Sequence, residues 1–257
     1  MDSTRIAEQL EAFLTSQTKP CHSEQGRRHG EEPDGVLTPK QLSDISTYID
    51  LLLRWNSRIN LTAIRDPEEI VRRHFGESLF AAQHLFPKLY PVSSSVPPVS
   101  SVADDVAFAR NPSNDSSQPP PRVADLGSGA GFPGIPIKLW APHIGLTLIE
   151  SNQKKAAFLR EVARTLTLTN VNIQNARAED VTQTFDLVTL RAVERFSYIL
   201  PVAISLLVPK GRLALLIGSS QLDEARSVDP HLSWLDPVAV PESKSRNLLI
   251  GTRGPER

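Results

Sequence analysis

The chain has 257 residues, 40% apolar and 22% charged, a composition that is typical of globular proteins and excludes wholesale disorder. Its 28 basic and 29 acidic residues give a formal net charge of −1, so the overall charge does not favour nucleic acid as a partner. The single cysteine, Cys21, excludes a disulfide framework and a cysteine-rich zinc site.

The N-terminal segment and the hydropathy of the chain predict a cytoplasmic protein. Met1–Leu14 contains three acidic residues and lacks the cationic run and apolar block of a secretory signal. No stretch approaches the roughly 18 consecutive apolar residues that a membrane span needs. We therefore expect no membrane partner and no metal.

Two segments lack apolar periodicity and are predicted to be disordered. Residues 16–34 mix Gly, His, Arg, Glu and Pro, and residues 91–121 contain 7 Pro and 8 Ser among 31 residues. Such segments cannot bury enough apolar surface to offset the entropy of ordering them. The boundaries divide the chain into an N-terminal helical extension (1–90), a Pro/Ser-rich disordered insertion (91–121) and a larger domain (122–257).

The extension is predicted to contain two main helices. Thr38-Pro39-Lys40-Gln41 is a capping box, and apolar residues follow it at helical spacing as far as Asn56. Asp66-Pro67-Glu68-Glu69 starts a second helix that runs towards Leu85, with acids at the positive end of the helix dipole. The basic residues of this stretch are Arg54, Arg58, Arg65, Arg72, Arg73 and His74. They indicate either a solvated helical face or a surface for RNA phosphates.

From residue 122 onward, short apolar runs alternate with amphipathic segments. The runs predict strands at 123–126, 146–149, 171–173, 187–190 and 213–216, and helical patterns such as 153–166 and 198–207 separate most of them. This alternation is typical of an α/β protein whose mostly parallel sheet is covered by helices on both faces. Two last runs, 238–240 and 247–250, predict an antiparallel hairpin at a sheet edge.

A glycine-rich loop, Asp125–Gly134, is predicted between the first strand and the first helix of this domain. Ligands of open α/β sheets bind beyond the carboxyl ends of the strands, and glycines such as Gly127 and Gly129 let a ligand approach the backbone closely. The pattern also fits the G-x-G-x-x-G fingerprint of dinucleotide sites. Asp125 favours the cationic amino-acid end of S-adenosylmethionine, because a carboxylate repels a pyrophosphate.

Three further strand ends supply candidate site residues. Glu150 ends the second strand, 23 residues after Gly127, where a carboxylate can accept the ribose hydroxyls of either NAD or S-adenosylmethionine. Ala178 and Glu179 follow the third strand, either beside an adenine or as a plain helix start. Arg191 ends the fourth strand, where it either faces the reacting centre or is merely exposed to solvent.

S-adenosylmethionine is a methyl donor, and the chemical groups that these strand ends lack limit which atom can accept the methyl group. Methylation of pyrimidine carbon 5 needs a thiolate, and Cys21 lies in a segment predicted to be disordered. Methylation of exocyclic amines typically uses an Asn/Asp-Pro-Pro-aromatic turn, whereas residues 190–193 read Leu-Arg-Ala-Val. A ring nitrogen that offers a lone pair, such as guanine N7, needs neither group and is consistent with this site.

A series of short motifs extends along the chain: Trp55-Asn56, Asn60-Leu61-Thr62, Arg73-His74, Glu77-Ser78, Asp125–Gly134, Glu150-Ser151, Lys154-Lys155, Phe158-Leu159, Arg177-Ala178-Glu179 and Arg191-Ala192. In type and order they resemble the RsmG (GidB) family of bacterial 16S rRNA guanine-N7 methyltransferases. The resemblance runs from about residue 36 to residue 250 and leaves out the Pro/Ser-rich insertion.

The resemblance implies a doubly wound, Rossmann-like class I methyltransferase with a seven-stranded sheet and S-adenosylmethionine as cofactor. It implies that the acceptor is a guanine in the decoding-region loop of 16S rRNA, and we expect a monomer that acts on 16S rRNA or the small ribosomal subunit. The predicted cofactor-binding residues are Asp125, Gly127, Gly129, Phe132, Glu150, Ala178, Glu179 and Arg191. By the resemblance, Gly127 and Phe132 contact the cofactor in the loop, and Arg191 also positions the substrate.

Two positions depart from the family pattern. Glu77 stands where the family commonly has Asp, and Ile217 precedes Gly218 where the fifth strand usually ends in Lys-Gly. If that lysine contacts RNA, its replacement weakens RNA affinity or specificity. The missing lysine leaves open a non-catalytic S-adenosylmethionine-binding protein of ribosome assembly. The G-x-G-x-x-G fingerprint leaves open a second alternative, an NAD-dependent oxidoreductase.

Overall fold

A computed structural model of the chain describes residues 1–14, 37–87, 119–192, 195–229 and 232–255. The predicted disordered segments 16–34 and 91–121 lie outside the described residues, apart from residues 119–121. The helices are α1 Ser3–Leu14, α2 Pro39–Asn56, α3 Pro67–Ile70, α4 Glu77–Leu85, α5 Gly134–Trp140, α6 Gln153–Thr165, α7 Phe196–Ser205 and α8 Leu222–Ser227. The strands are β1 Arg122–Leu126, β2 Gly145–Ile149, β3 Val171–Gln174, β4 Phe185–Arg191, β5 Leu207–Gly218, β6 Leu232–Trp234, β7 Val238–Ala239 and β8 Arg246–Arg253.

The strands form one mixed sheet in the order β3-β2-β1-β4-β5-β8-β6. Strands β1 to β5 pair in parallel, and β8 runs antiparallel between β5 and β6. The predicted mostly parallel α/β sheet is thus confirmed, with seven strands on its continuous path. The short strand β7 is an eighth, and it pairs antiparallel with β8 as the predicted hairpin does. Because β5 pairs with the other side of β8, the hairpin places β7 and not β8 at the edge.

Two hydrophobic cores lie on opposite faces of the sheet. Alternate residues of β1 belong to different cores, since Val123 packs with α2, α4 and α6 whereas Ala124 packs with α7 and α8. Residues of α1 such as Leu10 belong to the same core as Val123, so the N-terminal helices share one apolar interior with the sheet. One face of the sheet in the larger domain (122–257) is therefore covered in part by helices that precede this domain in the chain.

The predicted helix starts of the extension are present. Thr38 accepts a hydrogen bond from the backbone of Gln41, whose side chain accepts from Thr38 in return. Asp66 accepts from the Glu68 backbone and caps α3. The sequence pattern predicted one helix from here towards Leu85, and the chain is helical throughout, but Val71–Gly76 has π-helical geometry between α3 and α4. Such wide turns are uncommon and are frequently found at functional sites.

Helix α1 packs against this π-helical turn at Gly76. A Cβ added at Gly76 would lie 2.6 Å from Phe13 Cε2, and the ring of Phe13 is fully buried. The φ angle of Gly76 is −56°, a right-handed helical value that any residue can adopt. The glycine is therefore needed for the close approach of α1 and not for its conformational freedom.

We expect Gly76→Ala to lower the free energy of unfolding by about 1–2 kcal/mol, because overpacking outweighs the gain of about 1 kcal/mol in helix propensity. Gly145→Ala is the matched control, since its added Cβ would meet nothing nearer than 3.9 Å. Urea unfolding of the two variants tests the difference. Equal stability of Gly76→Ala and the parent protein would contradict the packing of α1 described above.

Candidate functional site

The glycine-rich loop leaves β1 at the carboxyl edge of the sheet. Gly127, Gly129 and Gly131 have φ angles of +66°, +56° and +86°, a region that residues with a Cβ rarely adopt. The backbone N–H groups of Gly127 and Ser128 both donate to the carbonyl of Ile149 on β2. The loop is therefore fixed to the neighbouring strand by its own backbone.

The glycines of the loop differ in what surrounds them. A Cβ on Gly131 would lie 2.3 Å from the Tyr48 hydroxyl, and one on Gly134 would lie 2.8 Å from Asp125 Oδ2. A Cβ on Gly129 would meet nothing nearer than the Gly127 carbonyl at 3.7 Å. Gly131 and Gly134 are thus closed in by protein, whereas the backbone at Gly129 is open to a ligand.

Phe132 belongs to an aromatic stack that joins the loop to the N-terminal helices. Its ring stacks on Tyr48 at 5.3 Å between ring centroids and on His74 at 4.8 Å, and Phe75 meets it edge-on at 5.1 Å. The Tyr48 hydroxyl donates to the Ala130 carbonyl within the loop. Phe132 is 6% exposed, so the structure assigns its ring mainly to packing.

Glu150 links the loop to the start of α6. Its Oε2 accepts from Gly129 N at 2.8 Å, and its Oε1 accepts from Asn152 N at 2.7 Å. A carboxylate has about four lone-pair sites, so two N–H bonds leave room for further donors. The carboxylate is thus held beside the open backbone of Gly129.

A cleft of about 230 Å³, the small cleft, opens between the loop and α7. Its lining is Gly127, Ile149, Ser151, Ala176, Arg177, Ala178, Glu179 and Ile199. Three of the sequence-predicted residues, Gly127, Ala178 and Glu179, therefore meet in one concave site. A hydrogen bond from its own backbone lowers the pKa of Glu179, and the Tyr198 hydroxyl on α7 lowers it further.

Asp125 lies behind the loop and does not line the small cleft. It is 1% exposed, and its carboxylate accepts from Thr189 Oγ1 at 3.0 Å and from Gly134 N at 3.2 Å. Burial raises its pKa to about 7, although both hydrogen bonds and the charge of Arg191 act in the opposite direction. Its direct contacts hold the two ends of the loop together.

Arg191 is the centre of a buried charged network. Its Nη2 donates to Glu77 Oε2 at 2.9 Å and to the Arg73 carbonyl at 2.6 Å, and its Nη1 lies 3.1 Å from His74 Nδ1. The side chains of Arg191 and Glu77 are 7% and 4% exposed. Arg246 of β8 lies 3.3 Å from the same Glu77 oxygen. The structure therefore does not leave Arg191 exposed to solvent, the bland alternative that its strand-end position allowed.

The network fixes the protonation of His74. An arginine can only donate, so the Nδ1 of His74 must accept from Arg191, and the proton lies on Nε2. Nε2 is 2.8 Å from Thr62 Oγ1 and donates a hydrogen bond to that oxygen. Burial, together with the smaller effects of the charges of Arg191, Arg73 and Arg246, lowers the pKa of His74 to about 3. His74 is a neutral hydrogen-bonding bridge.

A second and larger cleft of about 920 Å³, the large cleft, lies beyond this network. Its lining is Phe13, Asp66, Glu69, Arg72, Arg73, Glu77, Ala192, Gly218, Gln221, Pro241, Glu242, Ser243, Lys244, Ser245 and Arg246. Sequence reasoning missed Arg246 and Lys244, which carry no motif, and used Glu77 only as part of a family pattern. Ile217 is 3% exposed and packs in the core beneath α7 and α8, so only Gly218 of that pair reaches the cleft.

The motif at the end of α2 serves packing. Asn56 Oδ1 accepts from the backbones of Leu61 and Thr62, and Trp55 Nε1 donates to Glu161 of α6. These bonds hold the turn after α2 against the domain. Thr62 is thereby placed where it accepts from His74.

The described residues include no group of three or more His, Cys, Asp or Glu side chains that could hold a metal ion. None of the described helices is both long enough and apolar enough to cross a membrane.

Known proteins match most of the chain. The family model GidB, rRNA small subunit methyltransferase G, matches residues 41–89 and 102–248. The ribosomal RNA small subunit methyltransferase G of Xylella fastidiosa (strain 9a5c) is 36% identical over 210 residues, covering 80% of this chain and 84% of that protein. Its namesake from Chloroflexus aggregans is 32% identical and covers 84% of each chain. That of Streptococcus agalactiae serotype Ia is 33% identical and covers 86% of each chain.

The neutral state of His74 predicts how stability depends on pH. Unfolded histidine binds a proton below about pH 6.5, whereas folded His74 stays neutral down to its pKa of about 3, so acid favours the unfolded state. We expect the parent protein to lose stability relative to His74→Phe as the pH falls from 6.5 to 4, with a limiting slope of about 1.4 kcal/mol per pH unit. Phe keeps the stack on Phe132. The carboxylates contribute to the pH dependence of both proteins, so their contribution cancels when the two free energies of unfolding are subtracted. Parallel urea-unfolding profiles would contradict the assignment.

Proposed function

The chain belongs to the rRNA small subunit methyltransferase G family, and we propose that it transfers a methyl group from S-adenosylmethionine to N7 of a guanine in 16S rRNA. We further propose that the guanine lies in the decoding-region loop and that the cytoplasm is the place of action. The single observation that carries the proposal is the small cleft, where Gly127, Ala178 and Glu179 meet beside Glu150.

The residues of the small cleft fit S-adenosylmethionine. The open backbone at Gly129 lets the ligand approach, and the Glu150 carboxylate beside it suits the two ribose hydroxyls. Ala178 and Ile199 give the cleft apolar surface that suits an adenine, and the Glu179 carboxylate suits a hydrogen-bond donor such as the adenine amine. Asp125 fastens the loop that borders the ligand, and its carboxylate attracts the cationic end of the ligand in the fraction of molecules in which it is ionised, since its pKa is about 7.

S-adenosylmethionine supplies a methyl group on a sulfonium, an electrophile that a ring nitrogen can attack directly. Transfer to guanine N7 would form the new N–CH3 bond from the N7 lone pair as the S–CH3 bond breaks with its electron pair going to sulfur. Because N7 carries no proton, this chain needs no general base at the acceptor. His74 is consistent with that requirement, because both of its ring nitrogens are engaged and it stays neutral. The residues instead bind and orient two reactants, which by itself lowers the barrier substantially.

We assign Arg191 to positioning at the carboxyl end of β4. Its bonds to Glu77, His74 and the Arg73 carbonyl use four of the five N–H donors of a guanidinium. A hydrogen bond from Arg191 to the substrate guanine must spare N7, because the N7 lone pair forms the new bond to the methyl group. Guanine O6 or a phosphate oxygen is therefore the group that would accept a hydrogen bond from Arg191. Arg191 also holds the N-terminal helices against the strand that ends at the reaction site.

Glu150→Gln should weaken S-adenosylmethionine binding by about 1–3 kcal/mol, because charge-assisted bonds to the ribose are lost while the shape of the side chain is kept. Asp44→Asn is the control, since that carboxylate pairs with Lys40 on the exposed face of α2. Calorimetry with S-adenosylmethionine, and with NAD as a competing candidate, measures both variants. Unchanged affinity in Glu150→Gln would remove this carboxylate from the site, and binding of NAD alone would support the oxidoreductase alternative.

The acceptor is tested with labelled S-adenosylmethionine and small ribosomal subunits that lack the modification. We expect label on one guanine N7, and we expect Arg191→Ala to slow transfer at least about tenfold while cofactor affinity changes less, since positioning governs the rate. Label on another base would contradict the N7 assignment. Cofactor binding without any transfer would favour a non-catalytic role in ribosome assembly.

A further inference from the structure

We propose that the large cleft binds the single-stranded stretch of RNA that carries the acceptor base, held between Arg72 on one wall and Lys244 on the other. The inference rests on the proposed function, because it assumes an RNA substrate. It goes beyond that function by assigning a surface, by selecting Arg72 from the basic stretch of the N-terminal extension, and by adding Lys244, which no sequence motif indicates. The cleft is about 920 Å³, four times the volume of the small cleft at about 230 Å³.

The position of the cleft suits an acceptor. Its lining includes Ala192, directly after β4, and Gly218, the last residue of β5. The loop that borders the small cleft begins where β1 ends, and these three parallel strands end at the same edge of the sheet. A nucleotide in the large cleft therefore lies at the edge where ligands of such sheets bind.

The two walls come from distant parts of the chain, and each presents a cation. Arg72 and Arg73 lie on the π-helical turn, whereas Lys244 and Arg246 lie at and before the start of β8. Within the part of the chain that the structure describes, Arg72 and Lys244 form no ion pair. Two cations that line one cleft from separate elements, and that form no ion pair among the described residues, suit a phosphate backbone that passes between them.

Most acids of the lining are already engaged. Glu77 lies between Arg191 and Arg246, Glu69 pairs with Arg73 at 3.2 Å, and Asp66 accepts from the Glu68 backbone. The lining has as many cations as acids, four of each, and Arg191 behind Glu77 adds one further positive charge, so the cleft does not repel phosphate. Glu242 is the one acid of the lining without such a partner among the described residues.

A continuous chain of side-chain contacts connects the lining of the large cleft to the glycine-rich loop. Arg246 shares Glu77 with Arg191, Arg191 bonds to His74, and His74 stacks on Phe132 of the loop. An occupant that touches Arg246 is therefore four side-chain contacts from the loop that borders the small cleft. This arrangement favours a substrate over an unrelated ligand as the occupant.

The test measures binding of protein-free small-subunit rRNA at several salt concentrations, without cofactor. Arg72→Gln and Lys244→Gln remove one charge from each wall, and Arg164→Gln removes one from the exposed end of α6, outside both clefts. We expect each cleft variant to weaken binding roughly tenfold and to reduce the slope of log affinity against log salt by about 0.7, as loss of one phosphate contact does. We expect Arg164→Gln to change neither, and all three to bind S-adenosylmethionine as the parent does.

Three outcomes would overturn the inference. Parent-like affinity and salt slope in both cleft variants would exclude the cleft, and an effect at one wall alone would exclude a strand that passes between the two. Loss of affinity for assembled subunits, with none for protein-free rRNA, would assign the cleft to a ribosomal protein. The labelling experiment with the parent protein decides the proposed function separately, because the binding measurement involves no methyl transfer.

Discussion

The buried ion pair between Arg191 and Glu77 joins three parts of the chain that the sequence keeps far apart. Removing two charges from water is costly, and attraction between them offsets that cost only when further hydrogen bonds complete the geometry. Here His74, the Arg73 carbonyl and Arg246 supply those bonds. Loss of either partner would leave a buried charge, at a cost of about 3–5 kcal/mol. The carboxyl end of β4, the π-helical turn and the start of β8 are thereby held in one arrangement.

The N-terminal helices complete the site as well as covering the sheet. Tyr48 closes the space above Gly131 and bonds to the loop carbonyl of Ala130, while His74 and Phe132 stack. A glycine loop is flexible when it is isolated, because its residues have wide conformational freedom. Packing from α2 and the π-helical turn restricts that freedom before any ligand arrives, which reduces the entropy that binding must remove.

Local patterns were sufficient to predict the parallel strands, the capping box at Thr38 and the position of the glycine loop, because each depends on residues close in sequence. The meeting of Gly127, Ala178 and Glu179 was also predictable, since the carboxyl ends of parallel strands share an edge. The partners of Arg191 were not, because Glu77 and Arg246 reach it only through tertiary packing. The burial of Phe132 likewise depends on tertiary packing against Tyr48 and His74, and the burial of Asp125 on its bonds to Thr189 and Gly134.

The connection between α4 and β1 leaves and re-enters the fold at one end. Arg212 donates to the carbonyl of Leu85, the last residue of α4, and it pairs with Leu187 near the amino end of the parallel strands. The Pro121 carbonyl accepts from Gly145 N at that same end, where β2 begins. Both anchor points are thus on the side of the sheet opposite the glycine loop. A change in the length of that connection therefore acts at the edge away from the glycine-rich loop, which makes the connection a suitable place for attaching a tag.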